Sequence, residues 1–529
     1  MERILRSSFS LREGIFPAMY FFLLLVLAAA LPTSRYVMSL AQILMGVLWL
    51  GEGNYREKIN RFLSQKPVLF FAGIYLLYLA GMFWTQDLTQ GINDELKNKL
   101  PLLTLSFLIA SNKPLSKDQS HLLLMVFMAS LLITSFIGLG IFLSGNFINF
   151  RDISPFVSHV YLSMMLVMAV FTIPWLVQQI NPDKKWVYLS LIVSLWFILF
   201  LFILQSLTGL LCLGAAGFFL LGKHILYGKN IISRTIAVLT IAVFFIISIA
   251  SLAHMYNKVS SDYPPDQNEL NTYTAQGNPY THYPESTLRE NGYYVYYFIA
   301  EEELQKTWNQ RSTLDYRGKD KAGNELRSTL LRYLSSKGLR KDSKSLMQLQ
   351  EDEIIAIESG TPNYLYTQWP GFVVRIHQSI WELYWYRQTQ NPSGHTLTQR
   401  LELWKGSWQA FKQKPLLGWG TGDIFTAVQS GLESINSKME NTRMKPHNQY
   451  LLLLVMMGLT GTVLFFVLYI AYIKQSGAIR FFPYPIFLII MLVSMMGNNP
   501  IDAQTGQTFF TFFTLYFGVI YRKALAKKS

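Results

Sequence analysis

Long apolar runs recur along both ends of this chain, and they constrain its fold more than any other feature. Hydrophobic residues make up 51% of the 529 residues, whereas only 15% are charged. We identify about twelve apolar runs, and we judge each against the roughly 20 residues that a helix needs to cross a bilayer. The runs are 15–31, 36–50, 67–84, 100–110, 121–144, 158–178, 186–204, 207–222, 235–254, 450–473, 483–497 and 507–521. This pattern predicts an all-α polytopic membrane protein with about twelve transmembrane helices.

The distribution of Lys and Arg predicts the orientation of these helices, because cytoplasmic loops carry an excess of both. With the amino terminus inside, the predicted cytoplasmic segments hold 20 of the 46 basic residues, and the short external loops hold four. The other 22 lie in one long segment, 255–446, between the ninth and tenth predicted helices. We therefore expect both termini in the cytoplasm and this long, cationic segment outside.

Three regions follow from this layout. We predict an N-terminal transmembrane bundle over 1–254, an external domain over 255–446 and a C-terminal transmembrane bundle over 447–529. The single cysteine, Cys212, lies inside a span, so no disulfide can hold the external domain together. That domain must therefore be stabilised by packing.

Helical periodicity predicts that the external domain is itself largely helical. Four leucines of 325–337 share one helical face, and Gly338 follows as a stop signal. The stretch 398–414 is amphipathic, with an aromatic stripe that includes Trp404. We expect Asp423 to cap a further helix with its side chain.

The sequence lacks the motifs that several kinds of reaction require. The chain has no phosphate-binding loop motif, no HExxH, no cluster of Cys and His, and no GxSxG. These absences argue against ATP-driven transport, a zinc enzyme and a serine hydrolase. We expect neither a metal nor another cofactor, and no nucleic acid as a partner.

One histidine is well placed for chemistry outside the membrane. His447 stands where the polar segment ends and the run 450–473 begins. Histidine is the side chain whose unperturbed pKa suits proton transfer near neutral pH. External cations suit the pyrophosphate of a lipid-linked donor, and the guanidinium fork of Arg binds such a group in bidentate fashion.

Three motifs in this region carry a resemblance to a known family. They are Arg400-Leu401-Glu402-Leu403-Trp404; Lys414-Pro415-Leu416-Leu417-Gly418-Trp419-Gly420-Thr421-Gly422; and His447-Asn448-Gln449-Tyr450-Leu451, which is followed by Gly458-Leu459-Thr460-Gly461. In this order they resemble the O-antigen ligase and polymerase family. The resemblance implies a GT-C-like membrane glycosyltransferase of the bacterial inner membrane that is metal-independent and inverting. It implies a glycan donor linked to undecaprenyl pyrophosphate, a periplasmic active site and, for ligases, an acceptor sugar on lipid A-core.

The resemblance also implies roles for particular residues. Arg400 matches the family's essential loop arginine, and His447 matches its proposed base. The family often has a Ser-Arg pair where this chain has Ser206 followed by Leu207 and Thr208, so an expected arginine is missing. Candidate replacements are Lys99, Arg151, Arg332 and Arg375, and further candidates for substrate binding are His159, Tyr161, Trp404, Gly418, Gly420 and Asn448.

Alternatives to a ligase stay open at this point. A polymerase would use the same donor with a second lipid-linked glycan as acceptor, and a protein O-oligosaccharyltransferase would use a Ser or Thr side chain. The predicted spans are nearly free of charge, which disfavours a polysaccharide or lipid transporter.

Overall fold

The computed structural model describes residues 14–526 except 146, 148, 149 and 271. These described residues are 72% helical, which is consistent with the predicted all-α membrane protein. A two-stranded antiparallel ladder joins Arg289–Glu290 to Tyr293–Tyr294. By their contacts, the described residues form two compact units: one joins those up to Gly222 to those from Gln399, and the other is Lys223–Thr398. We call them the membrane unit and the inserted unit.

The membrane unit is built from helices that follow the predicted apolar runs. Its α-helices are Ile15–Ala30, Arg35–Glu52, Tyr55–Leu63, Lys66–Gly81, Leu88–Gln90, Lys97–Lys99, Pro101–Ser111, Lys117–Ser144, His159–Ile180, Lys184–Ile203, Leu207–Tyr227, Thr396–Gln413, Ile424–Ser434, Gln449–Ser476, Pro483–Gly497, Gln504–Leu515 and Arg522–Ala526. Two of them, Leu207–Tyr227 and Thr396–Gln413, run across the boundaries of the unit. Short π-helices cover Gly91–Leu96 and Tyr516–Tyr521, and 3₁₀ turns cover Met82–Trp84, Phe150–Ile153 and Ala478–Arg480.

Seven helices of the described residues are long and apolar enough to cross a membrane. They are Lys66–Trp84, Lys117–Ser144, His159–Ile180, Lys184–Ile203, Leu207–Tyr227, Ile231–Ser260 and Gln449–Ser476. Ile15–Ala30 and Pro483–Gly497 are apolar but shorter. Helices also occupy the remaining predicted runs, so the count of about twelve spans stays a prediction while the helical character of the runs is confirmed.

Helix Gln449–Ser476 is central to the membrane unit, since it packs along Lys66–Gly81. Aromatic rings fill this contact: the ring of Phe71 lies 5.3 Å from that of Tyr472 and 5.6 Å from that of Phe510. Such pairs add to the favourable burial of large apolar side chains. The helix that begins two residues after His447 is therefore held in the core of the unit.

A backbone break lies inside this central helix. Gly458 has φ 62° and ψ −170°, which a residue with a Cβ atom rarely adopts. The break frees backbone carbonyls, and the glycine-rich turn bonds to them: Trp419 N donates to Val455 O (2.9 Å) and Gly420 N to Met456 O (3.0 Å). A Cβ atom at Gly418 would lie 2.5 Å from Gly458 N. The glycines thus allow two backbone segments to pack in direct contact.

The prediction that the side chain of Asp423 caps a helix is wrong. A helix does begin after it, at Ile424–Ser434, but the carboxylate makes no cap hydrogen bond. It accepts instead from the backbone N–H groups of Gln86 and Asp87, both at 2.8 Å. Asp423 therefore ties the glycine-rich turn to the connection after Lys66–Gly81, a contact between distant parts of the chain that local sequence cannot reveal.

The inserted unit has its own hydrophobic core without a disulfide. Trp308, Tyr316, Leu330 and Leu334 are buried there with the smaller apolar side chains around them. Its α-helices are Ile231–Ser260, Glu301–Arg311, Leu326–Ser336, Ser343–Met347, Glu351–Glu358, Leu365–Gln368 and Gly371–Thr389, with a 3₁₀ turn at Gln267–Glu269. The predicted helix over 325–337 and its stop at Gly338, which has φ +71°, are confirmed.

The first helix of this unit suits a lipid environment. Ile231–Ser260 has 30 residues, which corresponds to about 45 Å at 1.5 Å per residue. Only 6% of its most apolar stretch is buried within the protein. Exposed apolar side chains over such a length are stable in hydrocarbon and unfavourable in water. The predicted division at 254 and 446 separates membrane-embedded regions from a domain outside the membrane. It stays a prediction.

The predicted topology can be tested with cysteine labelling, because the native Cys212 is buried and provides a low background. A membrane-impermeant maleimide added to cells with a permeabilised outer membrane should label Ala275→Cys in the inserted unit. It should label Lys185→Cys, another exposed position, only after the inner membrane is opened. Equal labelling of both variants in intact spheroplasts would contradict the orientation.

Candidate active site

His447 has an unusual backbone conformation at the mouth of the membrane unit. Its φ is +51°, a left-handed value that is uncommon for a residue other than glycine. Non-glycine residues in this region cost energy and cluster at functional sites. The next residue, Asn448, explains how the conformation is held, because its side-chain oxygen caps helix Gln449–Ser476 by accepting from Tyr450 N (3.0 Å) and Leu451 N (3.2 Å).

Arg400 and Trp404 approach His447 from helix Thr396–Gln413. They are four residues apart and therefore share one helical face. The indole N–H of Trp404 donates to Pro446 O at 2.9 Å, so this face is attached to the residue before His447. Arg400 lies beside Gly497, where a Cβ atom would be 3.9 Å from the Nη1 atom. Two residues that the motifs singled out are thus brought to the same place.

The environment of His447 favours its neutral form. The pKa of its imidazole is lowered to about 4: burial is the main cause, the nearby charge of Arg400 acts in the same direction, and Asp502 opposes both. A group with this pKa is uncharged near pH 7 and can accept a proton. Among the described residues, no side chain hydrogen-bonds to the imidazole.

The turn at 496–498 links the histidine segment to the position of the missing arginine. Asn448 Nδ2 donates to Met496 O (3.1 Å), and Gln449 N donates to Asn498 O (3.2 Å). Asn498 Nδ2 in turn donates to Thr208 Oγ1 at 3.0 Å. Thr208 is therefore linked to the histidine segment through Asn498, and it contributes a hydroxyl and no positive charge.

Four charged side chains form a closed ring next to this site. Lys99 Nζ lies 2.5 Å from Glu95 Oε2 and 2.8 Å from Asp502 Oδ1, and Lys445 Nζ lies 2.6 Å from both Glu95 Oε1 and Asp502 Oδ2. Each carboxylate oxygen thus faces one ammonium group, and the four formal charges sum to zero. We call these residues the charged ring.

The charged ring connects three parts of the membrane unit, one of which leads directly into His447. Glu95 and Lys99 lie on one short helical segment, Asp502 lies between Pro483–Gly497 and Gln504–Leu515, and Lys445 is two residues before His447. The Lys99 side chain is fully buried, and its ammonium also sits 4.9 Å from the ring centroid of Tyr78. The charge of Lys99 is therefore balanced by protein carboxylates, and its predicted role in binding donor phosphate stays a prediction.

Sequence reasoning did not select Lys445, Glu95 or Asp502 as site residues. One signal was present: Glu95 and Lys99 are four residues apart, a spacing that pairs charges on a helix. No local signal points to Asp502, which is 403 residues from Lys99. Arg35 is a further cation that the sequence motifs did not identify. The charges of Arg35, Asp502 and Lys445 all act on the side chain of Tyr161.

Tyr161 and His159 belong to the membrane unit near these groups. His159 begins helix His159–Ile180, and the ring of Tyr161 would lie 2.8 Å from a Cβ atom at Gly506. Ser163 of the same helix accepts a hydrogen bond from Ser206, the matching serine of the family pattern, at 2.9 Å. The predicted lining role of His159 and Tyr161 stays a prediction.

The other predicted site residues have different surroundings. Gly418 is buried against the break at Gly458 and Gly420 against Thr85, which gives both a packing role, and substrate binding by them stays a prediction. Arg151 is exposed on the turn Phe150–Ile153, and its predicted role in binding phosphate stays a prediction. Arg332 and Arg375 belong to the inserted unit.

Metal ligands are not grouped in the part of the chain that the structure describes. Across 14–526, with the four omitted positions, no set of three or more His, Cys, Asp or Glu side chains could hold a metal ion. The acidic members of the charged ring are each paired with two ammonium groups, an environment that repels a further cation.

Comparison with known families agrees with the site. Residues 356–466 match the family model described as O-antigen ligase, a span that includes Arg400, the glycine-rich turn and His447. The match supports placing the chain in that family, whose members are membrane glycosyltransferases and ligases. A search of the curated proteins finds no match to the chain.

The charged ring should show energetic coupling between its members. Replacing Lys99 with Met leaves two buried carboxylates with one cation, so we expect the free energy of unfolding to fall by about 3–5 kcal/mol. Combining Lys99→Met with Asp502→Asn removes one charge of each sign and leaves the Glu95–Lys445 pair. The double variant should therefore lose less than the sum of the two single losses.

Denaturant titration of the protein in mixed micelles measures these differences. Lys412→Met is the matched control, because Lys412 is exposed on helix Thr396–Gln413 and should leave the unfolding free energy unchanged. Strict additivity of the two ring substitutions would contradict a coupled ring.

Proposed function

We propose that this protein is an O-antigen ligase-type glycosyltransferase of the bacterial inner membrane. It transfers a glycan from undecaprenyl pyrophosphate to an acceptor sugar of lipid A-core on the periplasmic face, without a metal and with inversion. The proposal includes about twelve spans in a GT-C-like arrangement, with both termini in the cytoplasm and an external loop over 255–446.

One observation supports the proposal: within the span that matches the O-antigen ligase model, the charge of Arg400 acts on a His447 imidazole that its environment keeps neutral. Arg400 is close enough to lower the pKa of the imidazole, and Trp404 connects their two segments through Pro446. A permanent cation and a proton acceptor in one place are what transfer from a pyrophosphate donor requires.

The reaction that we propose is a single displacement. The His447 imidazole takes the proton of an acceptor hydroxyl, and the resulting oxygen attacks the anomeric carbon from the face opposite the pyrophosphate. The new C–O bond forms as the bond from the anomeric carbon to the phosphate oxygen breaks. The electron pair of that bond leaves with undecaprenyl pyrophosphate, whose charge Arg400 stabilises through its guanidinium fork.

Arg35 and Lys445 are candidates for a second cation at the donor phosphate. Position 208 supplies only a hydroxyl. Arg35 is exposed near Tyr161. Lys445 is the more exposed of the two lysines in the charged ring. A cation that keeps its carboxylate partners contributes less net field, so Arg35 is the better candidate of the two.

Loss of the base should abolish transfer without unfolding the protein. We expect His447→Ala to lower glycan transfer by about 10²- to 10⁴-fold, because a positioned general base contributes a factor of this size. The measurement is transfer by purified protein from a lipid-linked donor, with the level of folded protein measured in parallel. His254→Ala, an exposed histidine of helix Ile231–Ser260, is the control. Full activity of His447→Ala would contradict the base assignment.

Lipopolysaccharide gels from a deletion strain distinguish the candidate acceptors. If the strain loses its long-chain ladder but keeps undecaprenyl-linked polymer, and only the wild-type gene restores the ladder, the acceptor is lipid A-core. A ladder that collapses to one repeat on the core indicates a polymerase. An unchanged gel indicates another acceptor, such as the Ser or Thr side chains of glycoproteins.

The pH dependence of the reaction should reflect the lowered pKa of His447. The imidazole must be neutral to accept a proton, so protonation inactivates the site, and the acid limb of kcat/KM should have its midpoint near pH 4. Activity should therefore change little between about pH 7 and about pH 5.5, which is the range in which an ordinary histidine gains its charge. A midpoint near the ordinary value of about 6.5 would contradict the environment described for His447.

A further inference from the structure

The inserted unit contains a polar cavity of about 590 Å³ that the proposed reaction does not use. Its volume lies in the range of small-ligand sites, which is about 300–1,000 Å³. Its lining includes Ser328, Arg332, Tyr366, Arg375, Glu382 and His395. Two arginines that the sequence had suggested as phosphate-binding candidates therefore line the same cavity.

Arg332 is held in one orientation by the protein. Its Nε atom donates to Glu290 Oε1 at 2.8 Å, its Nη2 atom lies 2.6 Å from the same oxygen, and its guanidinium stacks 4.5 Å from the ring centroid of Trp381. Glu290 is buried, and its other oxygen accepts from Asn363 Nδ2 at 2.9 Å. Among the described residues, the Nη1 atom of Arg332 has no partner.

The ion pair between Arg332 and Glu290 is expected to add little to the stability of the fold. A buried ion pair gains little over apolar residues of similar volume, because both charges lose their hydration. It does have value for recognition, since a second layer of residues that fixes a guanidinium lowers the entropy lost when a ligand binds. The pair Glu290–Asn363 behaves as such a second layer for Arg332.

Arg375 adds a second guanidinium to the cavity. Its Nη1 atom donates to the neutral side-chain oxygen of Gln378 at 3.0 Å. Within the described residues no carboxylate lies at ion-pair distance from it. The positive charge of Arg375 is therefore not balanced by a bonded carboxylate.

Two acidic residues, Glu382 and Glu325, also belong to the lining. Glu382 Oε2 accepts from Leu397 N at 2.9 Å, at the start of helix Thr396–Gln413. Glu325 is exposed at the rim and directly precedes helix Leu326–Ser336. Carboxylates at helix N-termini are stabilised by the helix dipole. Among the described residues, neither Glu382 nor Glu325 forms an ion pair with Arg332 or Arg375.

Uncharged polar groups complete the lining. Burial lowers the pKa of His395, so its imidazole is neutral near pH 7 and can both donate and accept. Ser328, Asn324 and Gln378 add hydroxyl and amide groups. This set suits the many hydroxyl groups of a sugar, and the two guanidinium groups suit one anionic substituent.

We infer that this cavity is a binding site for an anionic saccharide, a sugar ring that carries a carboxylate or a phosphate group. The guanidinium groups of Arg332 and Arg375 hold the anionic substituent, and the neutral groups hold the ring hydroxyls. That this sugar belongs to the donor glycan or to the acceptor rests on the proposed function, whereas the binding itself does not.

Ligand-detected NMR on the full-length protein in detergent tests the inference. The probes are D-glucuronate, D-glucose 6-phosphate and neutral D-glucose. At least one anionic sugar should bind, more tightly than glucose, and Arg375→Gln should weaken its binding at least tenfold. Arg387→Gln is the matched control, because Arg387 is exposed on the same helix, Gly371–Thr389, and does not line the cavity. Arg375→Lys keeps the charge and checks that a loss in the glutamine variant is not a loss of folding.

Three outcomes would overturn the inference. They are no binding of either anionic sugar, equal binding by wild type and Arg375→Gln, and complete competition by inorganic phosphate at the affinity of the sugar phosphate, which would indicate an anion site without sugar recognition. His447→Ala should keep the binding, so a failure of the proposed transfer reaction is distinguished from a failure of the cavity. In transfer assays, a rise in KM for one substrate alone with Arg375→Gln identifies the source of the sugar.

Discussion

The charged ring is the interaction on which the geometry of the active site depends. Glu95, Lys99 and Asp502 are buried charges, Lys445 is a partly buried one, and a buried charge without a partner would be costly. The cost is offset only when all four contacts form together, which requires the three chain segments to meet in one arrangement. Because Lys445 precedes His447 by two residues, this all-or-none condition also restricts where the histidine can lie.

A second constraint acts on the other side of His447. The helix that follows is anchored in the aromatic core around Phe71, and its break at Gly458 is filled by the glycine-rich turn. Asp423 then attaches that turn to the connection near Gln86. The family's motifs are therefore not all chemical groups: the arginine and histidine supply chemistry, whereas the glycines let backbones meet closely enough to keep them in place.

Some elements of this structure can be predicted from short stretches of sequence, and others cannot. The apolar runs, the helix at Leu326–Ser336 and the amphipathic helix around Trp404 follow from periodicity and composition, which are properties of short segments. The motifs also identified Arg400 and His447, which the fold brings together. Contacts across hundreds of residues, such as Lys99 with Asp502, have no local pattern and were not predicted.

The sequence by itself determined that the chain is helical, that it is built from membrane-spanning runs, and which short motifs resemble the O-antigen ligase family. Hydrophobic length and helical period are enough for this, because burial of apolar surface and backbone hydrogen bonding act residue by residue. The tertiary structure alone decided the left-handed conformation of His447, its low pKa and the pairing of Lys99. It also decided that Arg332 and Arg375 share a cavity. These properties depend on which charges and backbones meet, and electrostatic and packing energies are set by three-dimensional distance rather than by separation along the chain.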